Sequence, residues 1–123
     1  MLGAVNAERA IAGSPPLTLC ASLNAAAQAH SDDQALRRTM SHTGGDGSTM
    51  SQRAQRSGYV GWSRLGENVA AGYPTTAAVM TGWMNSTGHR QNLLDPRFTH
   101  LGVGQATNGS IYWTQDFGTS GAC

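Results

Sequence analysis

Along the 123-residue chain the spacing of apolar positions changes period about two-thirds of the way. Leu2, Val5, Arg9 and Ala12 fall at helical spacing, and Gly13-Ser14-Pro15-Pro16 ends that pattern. A second, longer helix is predicted over about Cys20 to Arg38. There Leu19, Leu23, Ala26, Ala27, His30, Gln34 and Leu36 recur near a period of 3.6 in an alanine-rich stretch. His30 thus falls on or near the buried stripe. Met40 to Ser48 holds Gly44, Gly45 and Gly47 and reads as a loop. Asp46 or Ser48 is placed to cap a short helix that Gly58 ends. Gly66 to Gly72 stays open between strand and turn. Thr75 or Thr76 is placed to cap a helix holding Val79, Met80, Trp83 and Met84. Gly88 is expected to break that helix, leaving one further turn over His89 to Leu94.

The last third alternates with period two. Leu101–Ala106 and Ser110–Phe117 read as strands, joined at Asn108-Gly109, where both residues tolerate the positive φ of a type I′ turn. Ile111, Trp113, Gln115 and Phe117 would share one sheet face. Helices followed by a hairpin predict an α+β fold, and the length suits a single domain over residues 1–123.

Composition narrows the function classes. Hydrophobic residues make up 39% of the chain, enough for a core, and no apolar run approaches the ~20 residues of a membrane-spanning helix. The basic residues are all arginine and lie scattered, without the basic patch of a nucleic-acid binder. Cys20 and Cys123 fit neither a CxxC redox motif nor a zinc ribbon. Two unrelated thiols are one reading. A bridge closing a long loop in an oxidising compartment is the favoured one, contributing about 4–5 kcal/mol at most. The N-terminus shows no basic, apolar signal-like stretch, so an export signal would lie outside residues 1–123.

Candidate chemistry is sparse. Of the two glutamates, Glu8 reads as a solvated helix charge, whereas Glu67 sits among Gly66, Asn68, Val69 and Ala70. A carboxylate in such company must be hydrogen-bonded, paired or functional, since burying it alone costs several kcal/mol. His42 precedes Thr43-Gly44-Gly45, and His89 follows Gly88; neither belongs to a local metal motif such as HExxH. His30 and His100 read as a buried helix-face histidine and a loop residue before a strand.

Seven segments occur in a telling order: Asn6-Ala7-Glu8-Arg9, Ala29-His30-Ser31, Ser41-His42-Thr43-Gly44, Gly66-Glu67-Asn68-Val69-Ala70, Trp83 to Leu94, Phe98 to Gly104, and Tyr112 to Gly118. Together they resemble the CAP superfamily of cysteine-rich secretory proteins, antigen 5 and pathogenesis-related group-one proteins, and most of all its short bacterial branch. The resemblance implies a three-layer α-β-α sandwich with a central antiparallel sheet and a cleft built on a His/Glu tetrad. In it His42 matches the first histidine, Glu67 the glutamate of the GEN segment and His89 the histidine after glycine. Ser86 stands where a second glutamate is usual.

Such a site implies Zn²⁺ or another divalent cation on His42 and His89. Binding should be weak and pH-dependent, because the second carboxylate is missing and protons compete for imidazole. Glu67 could be a third ligand or the base for metal-bound water. The resemblance implies a secreted, monomeric module binding a lipid, sterol or other small molecule, or acting at cell surfaces. The alternative is a hydrolase of ester or amide bonds, with Glu67 as general base and His42, His89 and Ser86 as its other catalytic candidates.

Overall fold

The computed structural model describes residues 1–123. The elements follow in the order α1 (Leu2–Ala12), β1 (Thr18–Leu19), α2 (Ala21–Arg37), α3 (Met50–Arg56), β2 (Arg64–Ala71), α4 (Thr76–Met84), α5 (Thr87–Leu94), β3 (His100–Asn108) and β4 (Ser110–Thr119). One four-stranded sheet has the order β1-β3-β4-β2. It is antiparallel across β3, β4 and β2, and the two-residue β1 adds a short parallel edge to β3. Helices α2 and α3 cover one face; α1, α4 and α5 cover the other. This is the three-layer sandwich expected, with the sheet mixed only at that edge. No helix is long and apolar enough to cross a membrane.

The two faces are packed differently. Val5, Val79, Met80, Trp83, Leu93 and Phe98 meet Leu101, Trp113 and Phe117 of the sheet in the main core. Ile111 packs against the same core, and Gln115 reaches the Met80 sulfur, so the predicted β4 face is as expected. On the opposite face α2 lies directly on backbone. A Cβ on Gly102 would sit 2.2 Å from the Leu23 carbonyl carbon, and one on Gly104 would sit 2.3 Å from the Ala27 oxygen. A small apolar cluster of Cys20, Leu23, Ala54 and Tyr59 lies at one end of this face, and further along α2 the contacts are polar: Ser31 Oγ lies 2.8 Å from Thr114 Oγ1, and Gln34 Nε2 donates to the same hydroxyl. The layer that carries Glu67 is thus the one in which α2 approaches the sheet most closely.

Buried Arg9 ties α1 to the far end of α5. Its guanidinium donates to the carbonyls of Pro15, Leu93, Asp95 and Phe98. A disulfide joins Cys20 to Cys123, which resolves the two readings of the cysteines.

Several local expectations are corrected. Leu36 is 80% exposed, because α2 turns Ala35 rather than Leu36 inward. Helix α3 is capped by Thr49 in a complete capping box with Gln52, not by Asp46 or Ser48. Gly88 lies inside the first turn of α5; the break falls at Asn85 and Ser86. In the β3–β4 turn only Gly109 has positive φ, at 78°, so the turn is not type I′. The Asn108 side chain instead donates to the Ala35 carbonyl and accepts from Arg38, pinning the hairpin to the end of α2.

Candidate functional site

The segment Gly66 to Gly72, open between strand and turn in its sequence, is strand as far as Ala71, in an edge strand with one flank free of a neighbour. Alternation along β2 sends Glu67 toward α2 and α3 and Asn68 toward α5. The Glu67 side chain is 2% exposed, yet Arg53 and His42 both hold it. Arg53 Nη2, from α3, lies 3.0 Å from Oε1 and 2.8 Å from Oε2. Arg53 Nη1 donates to the Ser48 carbonyl, which fixes the guanidinium from behind. His42 Nδ1 lies 3.0 Å from Oε1. His30 Nε2 stands 4.0 Å from the same oxygen and donates to the Ser41 carbonyl at 2.6 Å, holding the loop that delivers His42.

Asp116 of β4 stands directly opposite Glu67 in the strand register. Two carboxyl groups side by side in the interior cannot both ionise. Burial, and then the negative charge of Glu67, push Asp116 well above its ordinary value, so it is protonated and donates to its neighbour. Burial alone would raise Glu67 as well. Hydrogen bonds from His42 and Asp116, with the Arg53 charge, overcome that and bring it down to about 2. Two buried carboxyls thus hold a single negative charge, placed on the one that Arg53 touches. Three buried side-chain atoms lack a protein partner, His30 Nδ1, Arg53 Nε and Asp116 Oδ1, and all belong to residues around Glu67.

His42 is the exposed end of this network, with 61% of its side chain open. Its bond to Glu67 raises its pKa. Nδ1–H donates to the carboxylate, so the neutral ring presents a bare Nε2, the arrangement that orients imidazole for coordination or hydrogen bonding. His42 and Glu67 line an open hollow of about 360 Å³ with Thr43, Thr49, Met50 and Ser51.

His89 and Ser86 line a neighbouring hollow of about 270 Å³ walled mainly by Met40, Val69, Tyr73 and Trp83. Burial, and then the nearby charge of His42, lower the His89 pKa. Asn68 places this half of the cleft: its amide donates to the His89 carbonyl and to Gln115, and its oxygen accepts from Asn92. Trp83 is 2% exposed and donates to the Val69 carbonyl, so it is core with one edge on the hollow. Ser86 sits at the N-terminal boundary of α5 and makes no cap hydrogen bond.

The four residues singled out in the sequence therefore fall into two pairs, His42 with Glu67 and His89 with Ser86, along successive positions of one strand edge. The ligating atoms of His42, His89 and Glu67 do not all lie within 4.8 Å of one another. Arg53 and Asp116 were not foreseen. Arg53 is one of the scattered arginines of the sequence, and Asp116 meets Glu67 only through a register that no local pattern specifies. His30, expected simply to be buried, is buried and also braces the loop that carries His42 through the Ser41 carbonyl.

The family model "CAP: Cysteine-rich secretory protein family" matches residues 2–117. The chain is 39% identical over 112 residues to the uncharacterized protein YkwD of Bacillus subtilis, covering 91% of this chain and 43% of that protein. It is 38% identical over 88 residues to the uncharacterized membrane protein YlbC of the same organism, covering 72% and 24%. The chain thus spans less than half the length of either relative. Among solved structures, an extracellular protein containing a SCP domain from Bacillus anthracis superposes with a TM-score of 0.87 at 35% identity, covering 94% of this chain and 38% of that one. An outer surface protein from Borrelia burgdorferi gives 0.85 at 20% identity, covering 96% and 88%, a likeness of fold alone.

Proposed function

The chain belongs to the CAP, or cysteine-rich secretory protein, family, and we propose that it works as an extracellular recognition module rather than as a hydrolase. The observation that carries this reading is the state of Glu67, whose two oxygens are already engaged by Arg53 and His42. A general base works best with a pKa near the working pH; a carboxylate held at about 2 is a weak one. It serves as the anchor that aims His42 outward. The extracellular setting is supported by the disulfide and by the description of the Bacillus anthracis protein.

The ligand we propose is a small amphipathic molecule, in keeping with the lipid, sterol or small-molecule class the resemblance implies. Its apolar part would rest on Val69, Tyr73 and Trp83, and its polar part would meet His89 and His42. A catalytic zinc usually takes three protein ligands and water. The donor set here does not fit one, because Glu67 is spent on Arg53. Two imidazoles remain, enough for weak divalent binding at the mouth of the cleft, and no reaction step is assigned to a metal.

The test is a nuclear magnetic resonance titration with a panel of fatty acids, sterols and polyols, following the Trp83 indole N–H and the His42 and His89 ring protons. A saturable shift at these sites is expected for one class of ligand, lost in His89→Ala. No shift with any ligand would overturn the cleft reading. Turnover of an ester or peptide that disappears in Glu67→Gln would overturn it in favour of hydrolysis. Calorimetric titration of Zn²⁺ tests the metal part separately: the heat seen with wild type should vanish in the His42→Ala/His89→Ala double variant.

A further inference from the structure

A second donor cluster, made of residues that line neither hollow of the cleft, stands at the disulfide. The two cysteine sulfurs and a ring nitrogen of His100 all fall within 4.8 Å of one another. We propose that, once the Cys20–Cys123 bridge is reduced, these three side chains form a Cys₂His site for Zn²⁺, with its fourth position open to solvent. The donor chemistry fits. Thiolate and imidazole are the ligands zinc favours in four-coordinate sites, at about 2.3 Å for sulfur and 2.0–2.1 Å for nitrogen.

The protein keeps the donors together without help from the bridge. Ser22 Oγ donates to the Ala122 carbonyl at 2.6 Å, and Ala122 N–H donates to the Val60 carbonyl at 2.9 Å. Gly121 lies so close on the Tyr59 ring that a Cβ would stand 2.4 Å from its carbons. Tyr59 is fully buried, and its hydroxyl, 2.9 Å from His100 Nδ1, fixes the imidazole orientation. This is the kind of outer hydrogen bond that orients a ligating histidine. Cys20 is fully buried, whereas Cys123 is exposed and gives the ion its way in.

The chemistry balances. A dithiol reductant breaks the sulfur–sulfur bond, becomes a disulfide itself and leaves two thiols on the protein. Zn²⁺ then binds both as thiolates, releasing two protons. Bridge and metal are alternative occupants of one place, and either closes the same loop between residues 103 positions apart. The metal should therefore restore stability that reduction removes.

The test uses the protein reduced with a phosphine under anaerobic conditions and titrated with Co²⁺ as a spectroscopic stand-in for zinc. Thiolate-to-cobalt charge-transfer bands saturating at one ion per chain are expected, together with a rise in the melting temperature of the reduced protein on adding Zn²⁺. The oxidised protein and Cys123→Ser should lack the two-thiolate spectrum. His100→Gln should weaken binding by at least about tenfold, and the His42→Ala/His89→Ala variant should leave the bands unchanged. Absence of charge-transfer bands in the reduced, folded wild type would overturn the proposal. So would His100→Gln with undiminished affinity, since the ion would then not use the three-donor site.

Discussion

Asp116→Asn isolates the buried carboxyl pair, because it keeps a hydrogen-bond donor beside Glu67 while removing the titrating proton. In the folded protein Asp116 holds its proton far above its ordinary value of 3.8; unfolded, it releases it near that value. Between those limits the native state binds one proton more than the unfolded state. Within that window the stability of wild type therefore falls, from this group alone, by up to about 1.4 kcal/mol per pH unit. Glu67 acts in the opposite sense and in a lower window. Its folded value of about 2 lies below its ordinary 4.5, so its contribution is full above 4.5 and is lost as pH falls toward 2. That amounts to about 3 kcal/mol. Histidines of the unfolded chain ionise over the same upper range, so the informative quantity is the difference between variant and wild type. Urea unfolding at pH 4.5, 5.5 and 6.5 should show Asp116→Asn gaining on wild type as pH rises, by up to about 1.4 kcal/mol per unit. A constant difference across that range would mean that Asp116 is ionised in the fold, and the single-charge account of the pair would fail.

The other predictions concern neighbouring parts of the same architecture. Arg53→Met leaves the Glu67 charge buried without its cation and should cost about 3–5 kcal/mol in urea unfolding at pH 7; adding Glu67→Gln should recover part of that loss in a double-mutant cycle. The His42 ring, followed by proton resonance, should titrate above its ordinary 6.5 in wild type and at a lower pH in Glu67→Gln; the stability it contributes is present below 6.5 and disappears as pH rises through the folded value. Gly104→Ala places a methyl against the Ala27 carbonyl and should lower stability by about 1–3 kcal/mol as α2 is forced off the sheet. Cys123→Ser should cost up to about 4–5 kcal/mol, with the same midpoint as metal-free, reduced wild type.

Where function follows local pattern, it was legible. Helices α1, α2 and α4 announce themselves through 3.6-residue periodicity and their punctuation, and β3 and β4 through alternation. Strand β2 could not be assigned because it is buried on both faces over Gly66–Ala70, so no alternation marks it. Glu67 stood out because a lone carboxylate in an apolar, glycine-bounded segment demands a partner, but the partner's identity was hidden. Arg53 is 14 residues away on a helix whose other charge, Arg56, points to solvent. Asp116 is 49 positions away, and only the β2–β4 register sets the two carboxyls face to face. The division of the cleft was equally invisible, since it depends on which side of an edge strand each histidine approaches.

That division has a consequence for which changes alter recognition and which alter folding. Behind β2 the charges are closed on one another: Glu67 answers Arg53, and Asp116 keeps its proton. A ligand arriving from solvent meets none of these groups first. It meets His42, whose outer nitrogen is free because the inner one is bound to Glu67, and His89, whose position is set through backbone by Asn68. The edge strand serves both tasks through its alternation, sending Glu67 to orient one imidazole and Asn68 to seat the helix bearing the other. Substitution at His89 should therefore weaken binding and leave the melting temperature nearly unchanged, His42→Ala should weaken binding at a modest cost in stability through the lost bond to Glu67, and Asn68→Ala should lower both together. A variant set in which His42→Ala unfolds the protein as readily as Arg53→Met would place the exposed imidazole inside the structural network, and the separation of mouth from anchor would be lost.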